Sequence, residues 1–232
     1  MLTGSPHNPF AASDLEPRTT NYIFAHGSSL SACEHLLCEH GWNLELVGPH
    51  GVGKSTLLYT LASAASRRSM RVVHFRCSDV QQRLPVGWQF KVLATARLGW
   101  RRTPELWSGA GPQACGLVCL DGAERIALHQ LRRLERICAR LKVGLLSTAH
   151  VPLRNVPHWH VETTPHQFWQ LLQQLRIPAA FNLTHTAASE ILQNHNGFAR
   201  TALLDLYDRY ERWYIDSPRA YRDSLILSIV SS

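Results

Sequence analysis

Long apolar runs are missing from this 232-residue chain. None approaches the roughly 20 residues a helix needs to cross a bilayer, so no membrane segment is expected. The opening stretch, MLTGSPHNPF, lacks the basic and apolar regions of a secretion signal, and the cytoplasm is the expected location. Charge is sparse: 18% of residues are charged against 45% hydrophobic, which excludes a disordered polyelectrolyte and implies a globular core. No internal repeat or low-complexity tract is present. The six cysteines (Cys33, Cys38, Cys77, Cys115, Cys119 and Cys138) include no CxxC pair and no zinc-finger spacing with histidine. Most lie in apolar runs and are expected as reduced, small core residues. His158 and His160 flank Trp159 in an HxH pair, but no third metal ligand accompanies them, so a loop or edge strand is expected there. What charge there is has one sign in excess: the net charge is +7, mostly from arginine, which favours polyanionic partners.

Against these absences stands one dense motif. In "LELVGPHGVGKSTLL", residues 44–58, Gly48, Gly53, Lys54 and Ser55 fit G-x-x-x-x-G-K-[ST], with Gly51 as an extra glycine. An apolar strand, Leu44 to Val47, runs into it and a helical pattern from Ser55 to Ala65 leaves it. Glycines let the backbone turn successive N–H groups inward around a phosphate chain, and the helix N-terminus adds its positive dipole end. Gly48, Pro49, His50, Gly51, Val52, Gly53, Lys54, Ser55 and Thr56 are therefore the candidate nucleotide-binding residues. Lys54 can reach the β- and γ-phosphates, and the Ser55 hydroxyl can ligate Mg²⁺.

The rest of the chain alternates strand and helix. Residues 1–27 read as an extended N-terminal arm. A helix capped by Ser28 or Ser29 runs to about Glu39 and is stopped by Gly41. "RVVHFR", 71–76, is a strand; a helix is expected near 88–98, followed by a loop beginning "RRTPELW". Leu117–Leu120 is a third strand ending at Asp121. "ERIALHQLRRLERICARLK", 124–142, reads as one amphipathic helix, with Leu131, Leu134, Cys138 and Leu141 on a shared face. Residues 143–150 are a fourth strand, and "HVETT", 160–164, suggests a fifth. Such alternation argues for a three-layer α/β domain with a mostly parallel sheet, residues 28–164. Ligands sit at the carboxyl ends of such strands, which gathers Gly48–Thr56, Asp121 and Ser147–His150 around one crevice. From about residue 165 to 216 the pattern is helical only, with helices expected over 165–177, 184–196 and 198–215, the second capped by Thr184 or Thr186. Residues 217–232 form a tail whose apolar "SLILSIVSS" is expected to dock on the domain or on another copy.

On "GPHGVGKST", "LVCLD", "LLSTAH" and "NGFAR" the chain resembles an AAA+-type P-loop ATPase, in the broad group with origin-recognition-like and STAND ATPases, over roughly residues 28–212. The resemblance implies an α/β P-loop NTPase domain followed by a small helical lid, and an ATPase that uses ATP and Mg²⁺. It places Asp121 in Walker B as a magnesium ligand with Ser55. It makes Thr148, with Ser147 as the alternative, the sensor 1 residue, and Arg200 of the GxxR stretch the sensor 2 arginine. Adenine over guanine follows from the resemblance, with no NKxD-like stretch to read guanine. The family usually follows the Walker B aspartate with glutamate, whereas here Gly122 and Ala123 intervene. Glu124, in the first turn of the following helix, is the candidate to orient water, against a reading in which it only favours the helix dipole. Arg154 is a candidate arginine finger toward a neighbouring subunit in a homo-oligomer.

The expected function is an ATP-driven switch or motor with Lys54, Asp121, Glu124, Thr148 and Arg200 as its catalytic set. Two alternatives remain open. One is a small-molecule or nucleoside kinase using "RLGWRR" as a lid. The other is a nucleic-acid-binding module with a vestigial nucleotide site. Arg132, Arg133, Arg136 and Arg140 on the helix of residues 124–142 form a stripe that can be a solvated face or a contact for nucleic acid or an acidic protein. Trp88, Trp100 and Trp107 near Arg97, Arg101 and Arg102 can stack bases or simply pack.

Overall fold

Leu44–Val47 is buried along its whole length and forms β1 of a five-stranded sheet. The computed structural model describes residues 8–11, 15–18, 20–25, 27–77, 83–102 and 114–217. The other strands are β2 (Arg71–Arg76), β3 (Gly116–Asp121), β4 (Gly144–Ala149) and β5 (His158–His160), in the order β2-β3-β4-β1-β5. Every pairing is parallel. β3 and β4 read as nearly continuous apolar runs because helices cover both of their faces.

The helices of this unit are α1 (Leu30–Glu39), α2 (Lys54–Arg67), α3 (Trp88–Arg102) and α4 (Leu128–Arg140). Ser29 caps α1 by accepting the Ala32 N–H. Strand alternation sorts the side chains into two faces. Phe75, Val118, Leu120 and Leu145 pack with Trp88, Val92 and Ala96 of α3 and with Leu131, Leu134 and Cys138 of α4. The intervening residues, Leu117, Cys119, Leu44 and Leu146, lie fully buried on the other face, where α2 buries Leu57, Leu58 and Leu61. Cys33 and Cys138, buried and free, have thiols pushed up to about 12 by desolvation, as expected of inert core cysteines.

The chain divides into two units: residues 24–162 form the α/β unit, and the described residues up to Ile23 join those from Thr163 onward in a helical unit. The latter holds α5 (Pro165–Gln173), α6 (His185–Asn194) and α7 (Ala199–Asp216). Thr184, not Thr186, caps α6. Residues 8–10 do not form a free arm. Phe10 is buried with Phe168, Leu206 and Tyr210, its ring 6.0 Å from that of Phe181. The Asn8 amide donates to the Tyr207 carbonyl at 3.2 Å and to Glu211 Oε1 at 2.7 Å.

Thr164 and Gln167 form a reciprocal capping box at the start of α5, and the Gln167 amide also donates to the Ile23 carbonyl at 2.8 Å. Thr164→Ala should cost about 1 kcal/mol, read as a small fall in the denaturant midpoint of the helical unit.

Several boundaries differ from the sequence reading. α5 stops at Gln173 rather than reaching residue 177. α3 extends through Arg102, so the start of the expected loop, and the "RLGWRR" stretch, are helical. The fifth strand is His158–His160, the HxH pair itself, and not residues 160–164, because the short edge pairing with β1 ends at Val47. The remainder of the expected loop, residues 103–112, and the tail from 218, including "SLILSIVSS", lie outside the described residues, as do residues 1–7, 12–14, 19 and 26 of the expected arm.

Candidate active site at the carboxyl ends of β1, β3 and β4

The phosphate loop leaves β1 at Gly48, whose N–H donates to the Ala149 carbonyl at 3.2 Å. A Cβ at Gly48 would run into the Val161 carbonyl. Gly51 and Gly53 take φ of 74° and 91°, in the left-handed region that glycine reaches without strain. Gly53 then caps α2 with no side-chain acceptor, so the first N–H groups of that helix are left for an anion. Lys54 folds back under the loop: its Nζ donates to the carbonyls of Gly48 at 2.7 Å and Pro49 at 2.5 Å. Burial pulls its ammonium below the ordinary lysine value. Glu124 and then Asp121 oppose that shift, and Arg125 adds to it.

Asp121 ends β3 beside the loop. Its Oδ1 accepts from Ser55 Oγ at 2.8 Å and from Thr148 Oγ1 at 2.9 Å. Thr148 Oγ1 in turn accepts the Gly122 N–H at 2.8 Å. The register pairs Leu120 with Ser147, so the next residues along, Asp121 and Thr148, share the α2 face of the sheet. Ser147 points to the opposite face, toward Glu45 and Arg154, and so is separated from the phosphate loop. The Ser55 hydroxyl and the Asp121 carboxylate are adjacent hard oxygens, a donor set that fits Mg²⁺.

Glu124 is not in the first turn of a long helix. Gly122, at φ 81°, turns the chain into a separate 3-10 turn, Ala123–Arg125, and Ile126 and Ala127 are extended before α4 begins at Leu128. Buried Ile126 anchors this break in the core. Glu124 Oε1 lies 3.4 Å from His150 Nε2 and 3.8 Å from Arg125 Nε. Its Oε2 is buried and has no hydrogen-bond partner among the described residues. The His150 ring sits 3.7 Å, centroid to centroid, from that of His50 in the phosphate loop. Burial pulls the His150 imidazole below its ordinary value; Glu124 opposes this, while Lys54, His50 and Arg125 reinforce it.

Arg154 is not available to a neighbouring subunit. It is 4% exposed, and its guanidinium donates to the carbonyls of Leu44 and Leu145, to Ser147 Oγ, to Asn43 and to Glu135 Oε1. The cause is Glu45, a fully buried carboxylate within β1 that accepts the N–H groups of Leu153 and Arg154. A buried carboxylate needs donors and a counter-charge, and the segment after β4 folds back to supply both.

Arg200 sits exposed in the first turn of α7 within the helical unit. Asp205, five residues further along α7, is engaged by Arg209 at 3.0 Å and by His195 at 3.2 Å. Arg132, Arg133, Arg136 and Arg140 are exposed on α4, with Glu135 bridging Arg132 and Arg154 at 3.0 Å each. Trp88 is a core residue, packed in the α3/α4 cluster. The side chains of Trp100, Arg101, Arg102 and Trp107 fall outside the described residues. Sequence reasoning placed His150 in the crevice without giving it a role, and passed over Glu45. The visible signals were a histidine directly after the fourth strand and a lone acid inside the apolar run "LELV".

A crystal structure of a DNA replication initiation factor superposes on 83% of this chain and 65% of its own, at TM-score 0.50 and 14% identity. The chain shares the α/β P-loop fold of that protein. The replication initiator DnaA bound to AMPPCP and single-stranded DNA matches at TM-score 0.48 and 14% identity, over 84% of this chain and 68% of that one. AMPPCP-bound DnaA from Aquifex aeolicus matches at TM-score 0.42 and 14% identity, over 83% and 68%. The chain therefore spans about two thirds of the length of each of these structures. No family model matches its sequence, and no curated protein matches it. No helix among the described residues is long and apolar enough to cross a membrane.

Proposed function

We propose that the chain binds ATP with Mg²⁺ at the phosphate loop, hydrolyses it, and signals the bound state to a partner. The observation that carries this reading is the bonded set Ser55–Asp121–Thr148 at the mouth of a glycine loop, beside a buried oxygen of Glu124 that has no partner among the described residues. The inward N–H groups of the loop and of the first turn of α2 bind the phosphate chain. Lys54, already buried against the loop, contributes its charge. Ser55 and Asp121 would hold Mg²⁺, which when bound neutralises charge on the phosphates. Thr148 fixes the rotamer of Asp121 and the backbone of Gly122. Glu124 takes a proton from the attacking water.

The helical unit, 165–216 with the segment around Phe10, serves as the lid, and Arg200 on α7 is its phosphate contact. The exposed arginines of α4 are proposed to meet an acidic protein or nucleic acid, in keeping with the net charge of +7. The kinase reading loses its proposed mobile lid, because Arg97–Arg102 lies within α3.

Equilibrium titration with a fluorescent ATP analogue and Mg²⁺ tests the proposal. Wild-type protein should bind, and Lys54→Ala should weaken binding roughly 10- to 100-fold, the effect of losing one charge-assisted hydrogen-bonding group. A folded wild type with no affinity for the analogue removes the reading.

A further inference from the structure

Two histidines flank the phosphate loop in a way that phosphate binding alone does not require. His50 belongs to the loop, between Pro49 and Gly51. His150 directly follows β4, one residue beyond Ala149 and two beyond Thr148. Their rings are 3.7 Å apart at the centroids and inclined by 53°. His150 Nε2 lies 3.4 Å from Glu124 Oε1. The two carboxylate oxygens of Glu124 are thus in different situations. Oε1 faces His150 and Arg125, while Oε2 is buried with no partner among the described residues. A buried acceptor without a donor carries a desolvation cost that an entering water would relieve.

We propose that His150 is the positioning residue for water activation: its Nε2–H holds Glu124 Oε1 so that Oε2 alone meets the attacking water, and its ring contact with His50 ties that orientation to the phosphate loop. This rests on the reading of Glu124 as the water-orienting group. The charged and titratable groups facing His150 are Glu124, Lys54, His50 and Arg125. Burial and the three basic groups outweigh Glu124, so His150 is neutral near pH 7, with its proton on Nε2 toward the carboxylate. A neutral donor orients Glu124 without draining its basicity as a full cation would. The 3.4 Å separation is loose, as such pairs are before ligand enters, and it tightens when a phosphate fixes His50. His50 then serves as the reporter of loop occupancy.

The test combines kinetics with a nucleotide-free measurement. His150→Ala should lower kcat roughly 10- to 100-fold, the effect of misplacing a reacting group, while the Kd for ATP stays within about twofold. His150→Gln, which keeps a side-chain N–H, should recover part of the loss. In a Glu124→Gln background, His150→Ala should add no further loss. In the absence of nucleotide, NMR titration of the imidazoles should show the His150 midpoint moving down in Glu124→Gln, because the carboxylate holds it up. Unchanged kcat in folded His150→Ala, additive losses in the double variant, or an unmoved midpoint overturns the proposal. If Glu124→Gln is inactive while His150→Ala is normal, this inference alone fails. If Glu124→Gln keeps wild-type turnover, or wild type has none, the parent reading of Glu124 fails with it.

Discussion

Arg154→Ala should destabilise the α/β unit by about 3–5 kcal/mol, the cost of removing one member of a buried ion pair. Domains of this kind are stable by roughly 5–15 kcal/mol in total, so the variant should be poorly soluble or unfold at much lower denaturant. The reason is the company Arg154 keeps. One guanidinium serves the carbonyls of Leu44 and Leu145, the Ser147 hydroxyl, Asn43 and Glu135, across β1, β4 and α4. Without it, Glu45 would keep the Leu153 and Arg154 N–H groups, the Ser147 hydroxyl and a distant His158, 3.9 Å away, but would lose the guanidinium charge that balances it. Arg154→Lys should not rescue, because an ammonium cannot reproduce the planar five-donor fork. Replacing both buried charges together, Glu45→Leu with Arg154→Met, should recover much of the loss, since neither is then left alone in the sheet and Glu135 keeps Arg132 as its partner. Denaturant unfolding followed by circular dichroism reads all three. An Arg154→Ala protein as stable as wild type would show that the network contributes little.

The second large effect is on turnover. Glu124→Gln should keep Mg²⁺-ATP binding near the wild-type level and lower hydrolysis roughly 10²- to 10⁴-fold, the contribution of a positioned general base. The amide keeps the shape of the side chain in the 3-10 turn of Ala123–Arg125 but cannot take a proton from water. Lys54 should also feel the change. Glu124 is the strongest charge supporting its ammonium, so its titration should move further down in the variant. Single-turnover phosphate release and equilibrium binding separate the two quantities. Unchanged release would leave Glu124 with only an electrostatic role beside Lys54.

Much of this architecture was legible in the residues because the signals were local. An apolar strand running into G-x-x-x-x-G-K-S specifies β1, the loop and α2 together, and the strand ending at Asp121 follows from "GLVCLD". Even the assignment of Thr148 over Ser147 is contained in strand alternation once β3 and β4 are taken as neighbours. The start of α4 was harder. "ERIALHQL" has helical periodicity from Glu124, but no Ser, Thr, Asp or Asn stands in that stretch to mark a cap, and the break depends on Ile126 reaching the core. Arg154 could not be assigned from its neighbours in sequence. Its role is dictated by Glu45, 109 positions away (154 − 45), whose burial depends on the whole sheet being in place. Phe10 was obscured for a similar reason: a single aromatic in a polar stretch has no periodicity, and its partners Phe181 and Tyr210 come from the other end of the chain.

That last feature bears on how the molecule is made. As the chain emerges from the ribosome, Asn8 and Phe10 must wait until residues 207–211 have been synthesised before their bonds can close. The segment from Phe24 to Glu162 contains every described strand and can collapse first, while the partner surfaces of the opening residues do not yet exist. Long-range closure of this kind is slow, and the waiting aromatic is open to chaperones or to mispairing with another nascent copy. The helical unit therefore matures after the α/β unit, and changes around residues 8–10 or 207–211 should be felt there together.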